Sequence, residues 1–257
     1  MELKREEQGE LINCLLDMGQ LLLDCGAEIS RVEDTLSRMA AAYGSTHAEV
    51  FVITSIISIS IEFTSKDVLT ETRRIYSSSG TDFYRLEKLN AISRSCCASP
   101  MPIEELKNAL AETAHGRKPL PAVLVGSALA AGGFAMFFGG GIRDGIAAAV
   151  FGLLICLVQR RLGRTQLSTV GVNLLLSFMT GLCVGVICKA IPAFNMDKIL
   201  IGDIMLMIPG LAMTNSIRNM LGGDTISGVV RLIESLIWAG ALAGGFMTAF
   251  MIINLLA

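Results

Sequence analysis

The feature that most constrains this chain is a series of long, nearly uncharged runs that begins at Pro119. Residues 119–142 carry no charged side chain, and a helix needs about 20 apolar residues to cross the hydrocarbon core of a bilayer. Four further runs follow, at 145–159, 165–188, 199–217 and about 232–257. The sequence therefore predicts about five transmembrane helices, and an odd number of spans would place the two termini on opposite sides of the membrane.

The cationic residues between these runs predict the orientation, because cytoplasmic loops carry an excess of Lys and Arg. The segments expected on one side contain Arg117, Lys118, Arg160, Arg161, Arg164, Arg218 and Arg231. The opposite turns contain Arg143, Lys189 and Lys198, offset by Asp144 and Asp197. We therefore predict a multi-pass protein of the cytoplasmic membrane with a cytoplasmic amino terminus and with Ala257 outside.

Two G-x-x-x-G pairs lie within the apolar runs. They are Gly181 with Gly185 and Gly240 with Gly244. Such pairs let helices approach closely, so they predict a compact bundle or a contact between subunits and indicate no particular substrate.

Residues 1–118 have the periodicities of a small α+β domain. Apolar side chains recur at helical spacing in 8–25 and 28–43, and Gly26 and Gly44 follow these two segments. Alternation from Ile57 to Phe63 predicts a half-buried strand, which we extend upstream to Val50, and Val68 to Tyr76 form a second strand. Asp82 is positioned to cap a third helix, and Pro102 to Ala114 form a fourth.

The predicted fold class is therefore an α-helical integral membrane protein preceded by a small α+β cytoplasmic domain. The domain boundary falls between residues 118 and 119, in a short basic linker that ends at Pro119. Residues 119–257 form the transmembrane domain of about five helices, of which the fourth is broken.

The break in the fourth span is the strongest functional signal. An apolar run that contains Asp203 is interrupted at Pro209-Gly210 and leads into Asn215 and Arg218. Unsatisfied backbone groups cost several kcal/mol in a bilayer, and transporters use broken helices beside polar residues to build sites for small charged solutes. The alternative is a kinked helix that leads into a polar cytoplasmic loop.

Other classes of function have little support. The net charge of −2 and the absence of a Lys and Arg cluster with interleaved aromatic residues argue against a nucleic-acid partner. Only two histidines are present, and no G-x-S-x-G turn, Gly-rich phosphate loop or Cys/His metal spacing occurs. We therefore expect no catalytic residue, cofactor or metal site; a membrane-anchored hydrolase and a sensor or scaffold subunit remain as alternatives.

Two motifs resemble those of the threonine/serine exporter family. The first is Gly26-Ala-Glu-Ile-Ser-Arg-Val-Glu33 with the later Gly44. The second is Pro209-Gly210 followed by Asn215, Arg218, Gly223-Asp224 and Gly228. Fused members of this family carry a second membrane part, so the resemblance implies that this chain is the larger subunit of a split form and joins a small membrane protein in a hetero-oligomer. It implies threonine and serine, or dicarboxylates such as succinate, as substrates.

These observations together predict a proton-coupled exporter of small carboxylate-bearing metabolites. The substrate carboxylate would meet Asn215, Arg218, Asn219 and backbone N–H groups beyond Pro209-Gly210. Arg218 could instead be an ordinary anchor on the cytoplasmic side.

Asp203 is the predicted proton-coupling residue, because an apolar environment favours a protonated carboxyl group. It could instead lie at the outer interface. Asp224 and Glu234 are expected to form ion pairs with Arg218 or Arg231. Glu28, Arg31 and Glu33 match the first motif and are assigned to domain contact or regulation, although a solvated helix face would look the same.

Overall fold

The computed structural model describes residues 4–64, 68–76, 80–116, 119–162 and 168–255. The predicted cationic residues Arg117, Lys118 and Arg164, and the terminal Ala257, lie outside the described residues. The chain divides into two compact units. The first contains residues up to 117 and also 211–232, and the second contains 118–210 and 233 onward. The first division falls at 117–118, and residues 211–232 group with the amino-terminal part; the two domains expected from the sequence, 1–118 and 119–257, stay a prediction.

The first unit is the expected α+β structure. Its helices are α1 (Arg5–Asp24), α2 (Ile29–Ala42), α3 (Phe83–Ala98) and α4 (Ile103–His115), and its strands are β1 (His47–Ile53), β2 (Ile56–Glu62) and β3 (Val68–Arg74). Most of α9 (Gly210–Leu221) and the start of α10 (Thr225–Leu255) also belong to it. Asp82 caps α3 as predicted, because its carboxylate accepts hydrogen bonds from the backbone N–H groups of Tyr84 and Arg85.

The sheet is antiparallel with the order β1-β2-β3. Ile57, Ile59 and Ile61 of β2 are fully buried, which confirms the predicted alternation. The single strand expected from Val50 onward is wrong, because the chain turns at 54–55 and β1 pairs back onto β2. Both strands are rich in β-branched residues, so their composition does not mark the short turn between them.

The second unit contains the apolar helices. These are α5 (Leu120–Phe137), α6 (Ile142–Leu162), α7 (Thr169–Ala190), α8 (Met196–Met207) and the remainder of α10. In the described chain, α5, α6, α7 and α10 are each long and apolar enough to cross a membrane, and the pair α8 and α9, bent by 50°, makes a fifth candidate if it crosses as one span. The structure therefore agrees with a membrane protein of four or five spans.

Close helix packing in this unit depends on glycine at a few positions. A Cβ atom on Gly202 of α8 would lie 2.4 Å from the carbonyl oxygen of Ala131 in α5, and one on Gly132 would lie 2.7 Å from the carbonyl oxygen of Gly145 in α6. Only a residue without a side chain allows such approaches. Helices α5, α6 and α8 consequently form one tightly packed group.

Helices α7 and α10 lie side by side and run parallel. Gly181 faces Ala249, Gly185 faces Ile253, and the Ser177 hydroxyl lies against Gly245, so contacts advance in the same direction along both helices. The close approach predicted for Gly181 and Gly185 is confirmed. A Cβ atom on Gly240 or on Gly244 would meet no other helix among the described residues, so only the subunit-contact role stays open for that pair.

Candidate functional site

Asp203 lies at the centre of the helix group in the second unit. Its residue exposure is 0%, and α8, which carries it, packs against α5, α6 and α7. Among the residues that the structure describes, neither carboxylate oxygen of Asp203 has a hydrogen-bond partner. The carboxylate of Asp203 is therefore enclosed by protein in this unit, and its depth relative to the membrane interface stays a prediction.

The predicted break follows Asp203 by about one and a half turns of helix. Helix α8 ends at Met207, Ile208 is extended with ψ 130°, and α9 begins at Gly210. Pro209 explains this geometry, since proline disfavours helical backbone in the preceding residue and has no N–H group to donate. The two helix axes differ by 50° at this point.

In the first unit, the two sequence motifs meet. The Arg218 guanidinium on α9 forms an ion pair with the carboxylate of Glu28, the residue before α2. The Asn215 side-chain amide donates a long hydrogen bond of 3.5 Å to the carbonyl oxygen of Gly26. Gly26 has a φ of +83°, which favours glycine. Segments 189 and 190 residues apart in the chain therefore recognise each other through the residues that carry the family resemblance.

Helix α9 and the start of α10 form a hairpin in the same unit. Gly223, with a φ of +100°, lies in the turn, and the backbone N–H of Asp224 donates to the carbonyl oxygen of Asn219 at 2.9 Å. A Cβ atom on Gly228 would lie 2.8 Å from the carbonyl oxygen of Ser216, so this motif glycine permits the two helices to touch. Asn219 is 3% exposed, and within the described chain its side-chain nitrogen has no hydrogen-bond partner.

Glu33 connects α2 to the edge of the sheet. Its carboxylate accepts a hydrogen bond of 2.9 Å from the backbone N–H of Val52 in β1. Burial raises the pKa of Glu33; the hydrogen bond from Val52 opposes this shift and the charge of Asp224 adds to it. The carboxylate of Asp224, at the α9–α10 turn, therefore lies close enough to Glu33 on α2 for its charge to raise the pKa of Glu33.

The structure brings some of the predicted residues together and separates others. Those in the first unit are Glu28, Arg31, Glu33, Asn215, Arg218, Asn219 and Asp224, and those in the second are Asp203, Pro209, Gly210 and Glu234. Arg31 and Glu234 are exposed. Among the described residues, Arg218 pairs with Glu28 and not with Asp224 or Glu234; the expected pairing of these two carboxylates with Arg231 stays a prediction.

Asp144, which the sequence marks only as a charge in a turn, has a larger role in the structure. Asp144 is 7% exposed, and its carboxylate accepts from the backbone N–H of Gly141 at 2.9 Å and of Asn195 at 2.8 Å. It therefore ties the α5–α6 turn to the start of α8. Gly141 lies close in sequence and could have suggested half of this arrangement, but nothing local indicates Asn195.

Comparison with known proteins agrees with the earlier resemblance. A family model described as "Putative threonine/serine exporter" matches residues 13–253. The chain is 22% identical over 245 residues to a Corynebacterium glutamicum protein named "Threonine/serine exporter", and the match covers 91% of this chain. The chain spans about half the length of that relative, of which 50% is covered. No solved structure matches the chain significantly. Because the family model covers nearly the whole sequence, the chain belongs to the threonine/serine exporter family.

Proposed function

We propose that this chain is part of a proton-coupled secondary exporter that moves small carboxylate-bearing metabolites out of the cytoplasm. Family membership supports the exporter role. The printed name of the relative favours threonine and serine as substrates, and dicarboxylates such as succinate are the alternative. The observation that carries the proposal is the unpartnered, fully buried Asp203 in the helix that breaks at Pro209-Gly210.

Asp203 is proposed to carry the coupling proton. Burying an isolated carboxylate costs far more than burying the neutral acid, and such groups remain neutral unless they are paired. Since no described residue pairs with Asp203, its stable state in this conformation is the protonated one. Release of the proton then requires water or a cation to reach α8, which is what a change of access on the two sides of a membrane provides.

Helix α9 is proposed to supply the donors for the substrate carboxylate. Arg218 already binds one carboxylate, that of Glu28, so a substrate carboxylate can replace Glu28 in the same planar fork. Asn215 and Asn219 lie one helical turn apart on α9 and provide amide donors, and the Asn219 amide nitrogen is without a partner in the described chain. Pro209 and Gly210 permit α9 to change its angle to α8.

The amino-terminal domain is proposed to control the position of α9. Glu28 holds Arg218, and Glu33 lies near Asp224 at the following turn. Competition between Glu28 and substrate for Arg218 would couple substrate binding to release of α9 from α2. Arg31 and Glu234, both exposed, are assigned to contacts with other parts of the transporter.

A separate small membrane subunit is the proposed partner, in a hetero-oligomer of the cell membrane. This proposal rests on the family resemblance of the two motifs described above. In this arrangement, the amino terminus is cytoplasmic and the carboxyl terminus lies outside.

Efflux measurements test the proposal. The chain is expressed with and without the candidate small subunit in exporter-deficient cells loaded with threonine, serine or succinate. We expect efflux only with both subunits, abolished by a protonophore and lost in Asp203→Asn and Arg218→Ala. Asp197→Asn, an exposed change on the same helix α8, and Arg94→Ala, an exposed change on α3, are the matched controls.

The outcomes separate the alternatives. If Asp203→Asn exports like the parent, the coupling role is wrong; if Arg218→Ala does, the substrate role is wrong. If no solute moves with both subunits present at normal levels, a sensor, scaffold or anchored-enzyme function replaces the exporter.

A further inference from the structure

An apolar groove lies between α6 and α7, on a part of the second unit that the proposed transport site does not use. Its volume is about 580 Å³, and it is lined along α6 by Arg143, Ile146, Ala147, Val150, Phe151 and Leu154. Ile187, Ile191, Ala193 and Phe194 close the other side. Ile146, Val150 and Leu154 are each more than half exposed, so the groove is open to the surroundings of the helices.

Arg143, the cation at the mouth of the groove, differs from the two lysines at this end of the unit in its hydrogen bonding. The Lys198 ammonium donates to the carbonyl oxygen of Phe138 at 2.8 Å, and the Lys189 ammonium donates to the carbonyl oxygen of Ile253. Arg143 is exposed, and the described residues offer its guanidinium neither a hydrogen bond nor an ion pair. The adjacent carboxylate of Asp144 is already engaged by two backbone N–H groups.

The length of the groove indicates what fits it. Arg143 and Leu154 are eleven residues apart on α6, which corresponds to about 16 Å along the axis at 1.5 Å per residue. A hydrocarbon core is about 30 Å thick, so the groove extends through about one leaflet from the arginine inward. A transmembrane helix of a partner would need contact along the whole thickness.

We propose that this groove binds an anionic phospholipid, with the phosphate at Arg143 and one acyl chain along α6. An arginine fork suits a phosphate because it donates two parallel hydrogen bonds. The apolar lining offers no donor or acceptor below the mouth that would favour a polar ligand. The proposal concerns a lipid site and does not rest on the transport mechanism given above.

A fluorescent reporter in the groove tests this site. Phe194→Trp places a tryptophan in the lining, and Trp238→Phe removes the single native tryptophan. The purified full chain in detergent is titrated with phosphatidylglycerol or phosphatidylcholine carrying brominated acyl chains, which quench tryptophan. We expect half-maximal quenching at about tenfold lower phosphatidylglycerol than phosphatidylcholine. Both lipids carry a phosphate that Arg143 can bind, but the quaternary ammonium of phosphatidylcholine repels the guanidinium and offsets that attraction.

Variants identify the cause of any preference. Arg143→Gln should remove the preference for phosphatidylglycerol, whereas Arg160→Gln, which removes the same charge near the other end of α6, should keep it. Ala147→Phe should fill the groove and reduce quenching by both lipids. Each variant must elute as the same monodisperse species as the parent. If Arg143→Gln does not elute in this way, Arg143→Lys is measured in its place; it keeps the charge but loses the planar fork, so it should weaken the preference for phosphatidylglycerol.

Two results would overturn the proposal. Equal quenching by both lipids, unchanged in Arg143→Gln, would show only general solvation by lipid. The second result is that neither lipid quenches the tryptophan in the parent, but that both do so once a co-purified membrane subunit is removed. This would show that protein, and not lipid, covers the groove.

Discussion

Two buried aspartates in the helical unit show how differently one residue type can be used. Asp144 is 7% exposed and accepts two backbone hydrogen bonds, whereas Asp203 is 0% exposed and has no partner among the described residues. A buried carboxylate with hydrogen-bond partners stabilises the fold. A buried carboxylate without partners lowers the stability of the fold, and such groups persist where function requires them. The two residues should therefore respond oppositely to substitution.

Replacement of these aspartates gives the first prediction. Asp144→Ala leaves the N–H groups of Gly141 and Asn195 without their acceptor and should lower the free energy of unfolding by about 1–3 kcal/mol per lost partner. Asp203→Asn removes the possibility of a buried charge and should leave thermal stability equal or higher. Thermal unfolding of the purified chain in detergent measures both; a marked loss of stability in Asp203→Asn would show that Asp203 is structural.

The pH response of Glu33 gives the second prediction. Burial raises its pKa in the folded chain above the ordinary value of 4.5, so the folded state holds the proton more tightly than the unfolded state. The stabilisation that protonated Glu33 contributes is therefore fully present below about pH 4.5, and it is lost as the pH rises through the pKa of Glu33 in the folded chain. Glu33→Gln keeps an acceptor for Val52 without the charge and should lose this part of the pH dependence.

The measurement compares thermal unfolding of the parent and Glu33→Gln across that window. Glu105→Gln, an exposed change on α4, is the control and should follow the parent. If Glu33→Gln has the same pH profile as the parent, the burial of Glu33 does not influence folding.

At the residue scale, the sequence predicts which residues matter better than it predicts their contact partners. Asp203 was recognisable because a carboxyl group within an apolar run is expensive. The ion pair of Arg218 with Glu28 spans 190 positions, and nothing in either local pattern specifies the other. Arg218 therefore had equally acceptable partners nearer in sequence, and these were the ones predicted.

At the scale of elements, periodicity predicts the helices, but it does not indicate which compact unit each helix joins. The bend was foreseeable from Pro209-Gly210, but α9 proved to group with the amino-terminal part. Its sequence combines apolar residues with Asn215, Arg218 and Asn219, a pattern that suits both a polar end of a span and an amphipathic helix against a soluble domain. Hydropathy alone does not distinguish the two.

The contact between α7 and α10 gives the third prediction. A Cβ atom on Gly245 would lie 2.0 Å from the Ser177 hydroxyl and 2.4 Å from the carbonyl oxygen of Leu174. Gly245→Ala must therefore separate the helices and should destabilise the chain by about 1–3 kcal/mol. Gly244→Ala meets no neighbouring helix in the described structure and is a control one residue away. Equal thermal stability of the two variants would contradict this packing.

At the scale of the whole molecule, the parallel arrangement of α7 and α10 restricts the number of spans. Two parallel neighbours cross a membrane in the same direction, and the end of α7 lies beside the end of α10, where Lys189 bonds to Ile253. The chain must therefore return to the starting side between them, and the segment available for this crossing is the bent pair α8 and α9. This arrangement favours the predicted five spans, whereas the length and composition of the described helices allow four or five.

Five spans lead to the last prediction, that the two termini lie on opposite sides of the membrane. A fusion after Ala257 should make alkaline phosphatase active and a green fluorescent protein dark, because the first matures only outside the cytoplasm and the second only inside. A fusion after Leu162, at the end of α6, should give the reverse result and serves as the control. If the fluorescent protein is bright at both positions, α8 and α9 enter and leave the membrane on the same side. In that case α7 and α10 cannot both span the membrane in parallel. The proposed access of Asp203 from both sides of the membrane would then be wrong.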